Sequence, residues 1–303
     1  MGDNGHLPDV ELDDLHKQHR QKSTTEGGAC LTGHESSFRQ KKNKVTCNYR
    51  YQAYAQADSE PKIKERLHSY SGRTTPVATS IYETKAGGWS PSYYALELPA
   101  PRPGDWNVGG PSTPIMRKSI TGNNVKVPVG MNFSQDTWPY WNNAHHIIPK
   151  GLFATMISEQ PAPVPNVMRK ALMMAQYNIN HKINMFMLPQ DREVAYILGL
   201  ARHIQLKHGD DGIAESCTNH PIYNRVVEGR LNSIISGYKS ICDGAKPEGH
   251  KIPNASLDKK KLEDLSEHLM NQIIDWGKIE AGASLDKHSN KLLSEVTNES
   301  GAL

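Results

Sequence analysis

The chain contains no run of about 18 apolar residues, which excludes a membrane-spanning helix of the usual kind. Cysteine is scarce: there are four, at Cys30, Cys47, Cys217 and Cys242, and no two form a C-x-x-C clamp. That spacing excludes a cysteine-built zinc site and argues against a disulfide framework, so free thiols in a reducing compartment are expected. The opening stretch MGDNGHLPDVELDD is acidic and lacks an apolar core, so no Sec-type signal peptide is expected. His6 stands where a myristoylation pattern carries Ser or Thr. No internal repeat is present.

What is there fits a two-domain chain with long polar stretches: 303 residues with a mean hydropathy of −0.63. Net charge is only +3, but its distribution is uneven. Between Ser36 and Lys126 there are 14 Lys and Arg against 6 Asp and Glu. Tyr49, Tyr51, Tyr54, Tyr70, Tyr82, Tyr93 and Tyr94 lie among them. Basic residues mixed with aromatics suit phosphate contact and base stacking, and equally suit a solvated surface with tyrosines packed beneath it. Residues 1 to about 45 lack periodicity and read as loop or tail. VTCNYRYQAYAQ fits strand or helix, and PVATSIYET fits a strand. Five prolines between Pro99 and Pro114 mark an extended linker or a long ordered loop. The expected division is therefore a polar, basic region over 1–137 and a second domain over 138–303.

In the second half, Ile147 and Ile148 suggest a short strand, followed by a proline-rich hinge, PAPVP. Asn166 is the expected N-cap of a helix to about Tyr177, with Met168, Leu172 and Ala175 on one face. Ile183 to Pro189 predicts a second strand, and a helix is expected from about Asp191 to Leu200. Tyr223, Val227, Leu231, Ile234 and Tyr238 recur at helical spacing behind Pro221, with Thr218 or Asn219 as expected N-cap. Leu262, Leu265, Leu269, Ile273 and Trp276 predict another amphipathic helix, and a shorter one is expected over Leu285 to Val296.

Fourteen histidines are present. His6, His16, His19 and His34 read as solvated, and His268 and His288 as lying on exposed helix faces. His145 and His146 are adjacent in WNNAHHIIPKG. Adjacent strand residues point to opposite faces, so the pair is not suited to share one ion. One imidazole could hold a cation while the other accepts a proton from water. His220 and Asn224 are four apart on a predicted helix and share a face. The same pair could equally do no more than cap that helix.

AHHIIP, then NINHKINMFMLP, then NHPIYNRVVEGRL, together closely resemble the AHH family of nuclease domains in the HNH/endonuclease VII group. The resemblance spans about Trp141 to Ile235. It implies an α+β fold: a ββα-metal nuclease core embedded in a mostly helical C-terminal domain, behind a polar, loop-rich N-terminal region. It implies that His145 ligates the metal from the first strand and that His146 is the general base. Asn184 would match the central asparagine, orienting that base or tying the strands together. His220 would be the helix ligand, with Asn224 beside it as ligand or support. Family members often carry a further histidine just before the H-P-x-Y element, where this chain has Ser216, Cys217 and Thr218. His203, His208 and His181 are the candidates to complete the site, His203 being preferred.

The implied reaction is metal-assisted phosphodiester hydrolysis, with one divalent ion (Mg²⁺, Zn²⁺, Mn²⁺ or Ni²⁺) and Lys150 near a phosphate. DNA is the favoured substrate, with RNA the alternative. A non-catalytic, zinc-stabilised binding module is the competing reading. The resemblance further implies a bacterial toxin or effector used in interbacterial competition. Such a protein is expected in the producer's cytoplasm, restrained by a cognate immunity protein and exported by a specialised secretion system, with a secretion-system component or chaperone as a further partner. Residues 1–137 would then serve delivery, adaptor or substrate-binding roles.

Overall fold

A computed structural model describes residues 48–59, 80–82, 94–96, 108–118, 123–134, 138–140, 142–190, 192–204, 219–245 and 255–300. The fold is α+β. In chain order the elements are α1 (Tyr49–Ser59), β1 (Ser80–Tyr82), β2 (Tyr94–Leu96), β3 (Ile115–Lys118), β4 (Asn124–Val127) and β5 (Asn142–His146). Then come α2 (Lys150–Ser158), α3 (Val164–Met174), a 3₁₀ turn (Lys182–Asn184), β6 (Met185–Pro189) and α4 (Arg192–Leu198). The chain continues through α5 (Pro221–Gly244), α6 (Lys260–Ile279) and α7 (Leu285–Ser300). Strands pair in twos: β1 with β2 and β3 with β4, both antiparallel, and β5 with β6. No helix among the described residues is long and apolar enough to cross a membrane.

The chain forms two compact units. One comprises Met1–Gln52, His146–Met185 and Val227–Leu269. The other comprises Ala53–His145, Phe186–Val226 and Met270–Leu303. Neither ends at residue 137, where the composition changes, and each draws on both sides of that position.

In the first unit, α2 and α3 bury Phe153, Met156, Ile157, Val164, Val167, Met168 and Leu172. Helix α3 begins two residues before the expected Asn166 cap, with proline in its first turn. Proline costs little there, because the first amides of a helix have no intrahelical partner. The PAPVP segment is thus partly helix start rather than a separate hinge. The helix ends at Ala175, and Gln176 takes φ 59°, the left-handed conformation of a C-terminal cap. Lys150 opens α2 directly behind Pro149.

In the second unit, β6 is buried along its whole length, as a short apolar run bounded by polar residues predicts. Trp138 Nε1 donates to Asn132 Oδ1, and Asn142 Nδ2 donates to the carbonyls of Trp138 and Tyr140, fixing the approach to β5. Gly277 lets α6 meet the turn after α4: a Cβ there would stand 2.5 Å from the Gly199 carbonyl oxygen. His288 departs from the expected exposed face. It is buried, with its ring 5.4 Å from that of Trp276 and stacked nearly parallel to it. Helix α7 turns that face inward, so the histidine packs as a flat apolar surface.

Candidate metal centre

His145, His203 and His220 converge from three separate segments. Their candidate ligand nitrogens all lie within 4.8 Å of one another. The rings form a near-equilateral triangle, with centroids 5.0 Å apart for His145–His203, 5.0 Å for His145–His220 and 4.9 Å for His203–His220. Each segment is held by backbone bonds. His145 sits on β5 and is 2% exposed. The His203 amide donates to the Pro189 carbonyl at 2.8 Å, tying it to the end of β6. Next to it, Arg202 is wholly buried and bridges Ser284, with amide bonds to and from residues 283 and 285.

His220 is itself the N-cap of α5, one or two residues beyond the cap expected from sequence. Its carbonyl accepts from the Asn224 amide at 3.0 Å, the first bond of the helix. Its Nδ1 faces Asn224 Oδ1 at 3.0 Å. An oxygen accepts, so Nδ1 carries the proton and Nε2 keeps the lone pair that a metal needs. Burial pushes the His220 pKa down, while hydrogen bonds from its backbone and Asn224 act the other way. A neutral ring is the ligating form. The capping duty that His220 leaves open falls to Asp286 of α7, whose Oδ1 accepts from the Tyr223 amide at 2.9 Å. The Tyr223 ring backs the triad, 5.2 Å from His145 and 5.3 Å from His220, and meets Trp276 behind it.

Three imidazoles and no cysteine thiolate form the donor set of an open site, with coordination left for water or substrate. The residues present therefore fit a single divalent transition ion. Asn224 Oδ1 lies against Nδ1 of His220. His181 is elsewhere: its ring caps the 3₁₀ turn, and it lines a small cavity with Tyr177, Asn178, Lys259 and Glu263. His208 lies outside the described residues.

His146, next along β5, is half-buried and has a different set of neighbours. Its Nε2 lies 2.8 Å from Asn180 Oδ1, and the Tyr49 ring is 5.8 Å away. Burial lowers its pKa to about 4; Asn180 opposes that shift and the Lys150 charge adds to it. The ring is thus neutral at physiological pH.

Asn184 is wholly buried and its side chain serves the backbone. Its Oδ1 accepts from the Ile148 amide and from Ser266 Oγ, and its Nδ2 donates to the carbonyls of Ile148 and Ile179. It ties the segment after β5 to the segment before β6 and has no hydrogen bond to His146. Sequence reasoning missed Asn180, Tyr49, Tyr223 and Asp286. Asn180 had one visible signal, its place four residues before Asn184 in NINHKIN.

No curated protein and no solved structure matches the chain. Residues 130–252 match a family model described as AHH, a nuclease family of the HNH/ENDO VII superfamily with conserved AHH. That segment carries AHH at 144–146, the β5–β6 pair, and α5 behind His220. Residues 130–252 of the chain are accordingly similar to the AHH nuclease family, whose domain is a ββα-metal fold.

Proposed function

We propose that the chain is a metal-dependent endonuclease that hydrolyses phosphodiester bonds, DNA being its preferred substrate. The observation that carries this reading is the convergence of His145, His203 and His220 in an AHH-family segment. A divalent ion held by these three imidazoles would supply positive charge to the phosphate and to the leaving oxygen. His146 takes the proton of the attacking water. The new bond forms between that water's oxygen and phosphorus, the bond to the leaving oxygen breaks, and the leaving oxygen is protonated from solvent. Lys150, at the start of α2, offers a cation to a neighbouring phosphate. Asn184 keeps the two segments in register, and Asn224 fixes the tautomer of His220.

The reading extends to a toxin or effector of interbacterial competition that acts by DNA degradation. A cognate immunity protein and a secretion-system component or chaperone are then its partners. What supports this extension is the resemblance to nuclease domains common in bacterial polymorphic toxins.

The test is incubation of purified protein with plasmid DNA and, separately, total RNA, each with Mg²⁺, Mn²⁺, Zn²⁺, Ni²⁺ or EDTA. Metal-dependent loss of the plasmid ahead of the RNA is the expected result. RNA degraded first would reassign the substrate. Both intact with every metal would favour a binding module.

A further inference from the structure

The segment Asn178–Asn184 is built with more care than a simple connection needs. Asn178 Oδ1 accepts from the Asn180 amide, the His181 amide donates to the Asn178 carbonyl, and the Asn184 amide donates to the His181 carbonyl. The Lys182 amide donates to Gln52 Oε1 of α1 at 3.0 Å. Asn178 and Asn180 are 3% and 1% exposed. This anchored segment presents Asn180 Oδ1 to His146 Nε2 at 2.8 Å. From α1, Tyr49 lies three residues before Gln52, on the same helix face, and its ring meets that of His146. Both α1 residues come from outside 130–252, the segment matched to the family.

An amide oxygen accepts hydrogen bonds only, so the 2.8 Å contact has His146 donating through Nε2, which leaves Nδ1 to carry the ring's lone pair. We propose that Asn180 and Tyr49 are positioning residues that fix the His146 ring in this tautomer and orientation, making Nδ1 the nitrogen that accepts the proton. The proposal rests on His146 being the general base. It makes α1 part of the catalytic apparatus, through its contact with the base rather than with substrate. After proton transfer both ring nitrogens carry hydrogen, and Asn180 continues to accept from Nε2.

The test uses the full chain with ¹⁵N-labelled histidine, in the variants Asn180→Ala, Asn180→Asp, Tyr49→Ala, Tyr49→Phe and His146→Ala. Wild-type His146 should show the nitrogen shifts of the Nε2–H tautomer, and Asn180→Ala should show a mixture. Cleavage by Asn180→Ala and by Tyr49→Ala should fall in kcat by about 10-fold or more, as loss of a residue that orients an imidazole does elsewhere. KM and metal affinity should stay near wild type. Asn180→Asp keeps an acceptor and Tyr49→Phe keeps the ring, so each should recover most of the rate. An Nδ1–H tautomer in the wild type would overturn the proposal whatever the variants do. So would an inactive His146→Ala beside an Asn180→Ala enzyme of full rate. A His146→Ala enzyme that cleaves normally would sink the general-base reading instead.

Discussion

Consecutive residues of β5 meet different side chains. His145 and His146 are consecutive, yet His145 meets two histidines and Tyr223 while His146 meets Asn180 and Tyr49. Strand alternation alone predicts such a separation. The nitrogen of His220 left for an ion is set by Asn224, so that residue has a measurable duty. Asn224→Ala should weaken metal binding by about 10–100-fold, the usual cost of losing a hydrogen-bond partner behind a metal-binding imidazole. Calorimetric titration with Zn²⁺ checks this, and unchanged affinity would mean the tautomer is fixed by something else. The pairing of His220 with Asn224 was legible in H-P-x-Y-N, and the different surroundings of His145 and His146 in AHH, because those spacings are local. Asn180 was not, because an asparagine in a polar stretch reads as a turn residue until its partner, 34 positions earlier in the chain, is known.

Among the elements, periodic segments were the most legible. Helices α5 and α6 follow their apolar spacing, with Tyr223, Val227, Leu231 and Tyr238 buried on the first and Leu262, Leu269, Ile273 and Trp276 on the second. The start of α3 was misjudged because proline serves both as a hinge signal and as a first-turn residue. The face of α7 was misjudged because a histidine reads as polar, whereas a neutral imidazole stacks on Trp276 as an aromatic. That burial has a pH consequence. Burial lowers the folded-state pKa of His288 to about 4, with Glu280 opposing the shift, nearby lysines adding to it and a backbone bond at Glu280 also opposing it. Below the ordinary histidine pKa of about 6.5 the unfolded chain takes up a proton that the folded chain refuses. This contribution to stability is therefore complete above about pH 6.5 and declines as pH falls towards 4, with no further loss below. Urea unfolding across that range should show a steeper decline for the wild type than for His288→Gln, which cannot titrate. Parallel curves would contradict the burial of a neutral ring.

At the scale of the whole molecule, each compact unit joins stretches that lie far apart in sequence. Composition records which stretches are polar, but not which distant stretches a fold brings together. Helix α1 shows why: it carries little hydrophobic signal, yet Asn48, Gln52, Ala53 and Gln56 are buried. Some of its contacts are polar and long-range, such as Gln52 with Lys182, and no local pattern announces those. The third member of the triad was reachable only as a choice among His203, His208 and His181, since its approach to His145 depends on tertiary pairing at Pro189 and Ser284.

The central claim is that β5 separates the holding of a cation from the taking of a proton. It is tested most directly by calorimetric metal titration and nuclease rate measured on the same preparations of His145→Ala, His146→Ala, His203→Ala and His220→Ala. His145→Ala, His203→Ala and His220→Ala should each bind metal weakly and regain some activity in excess metal. His146→Ala should bind metal as the wild type does while losing about 10²–10⁴-fold in rate, the range that general-base catalysis supplies. A His146→Ala protein that loses the metal, beside a His145→Ala protein that keeps it, would contradict the account.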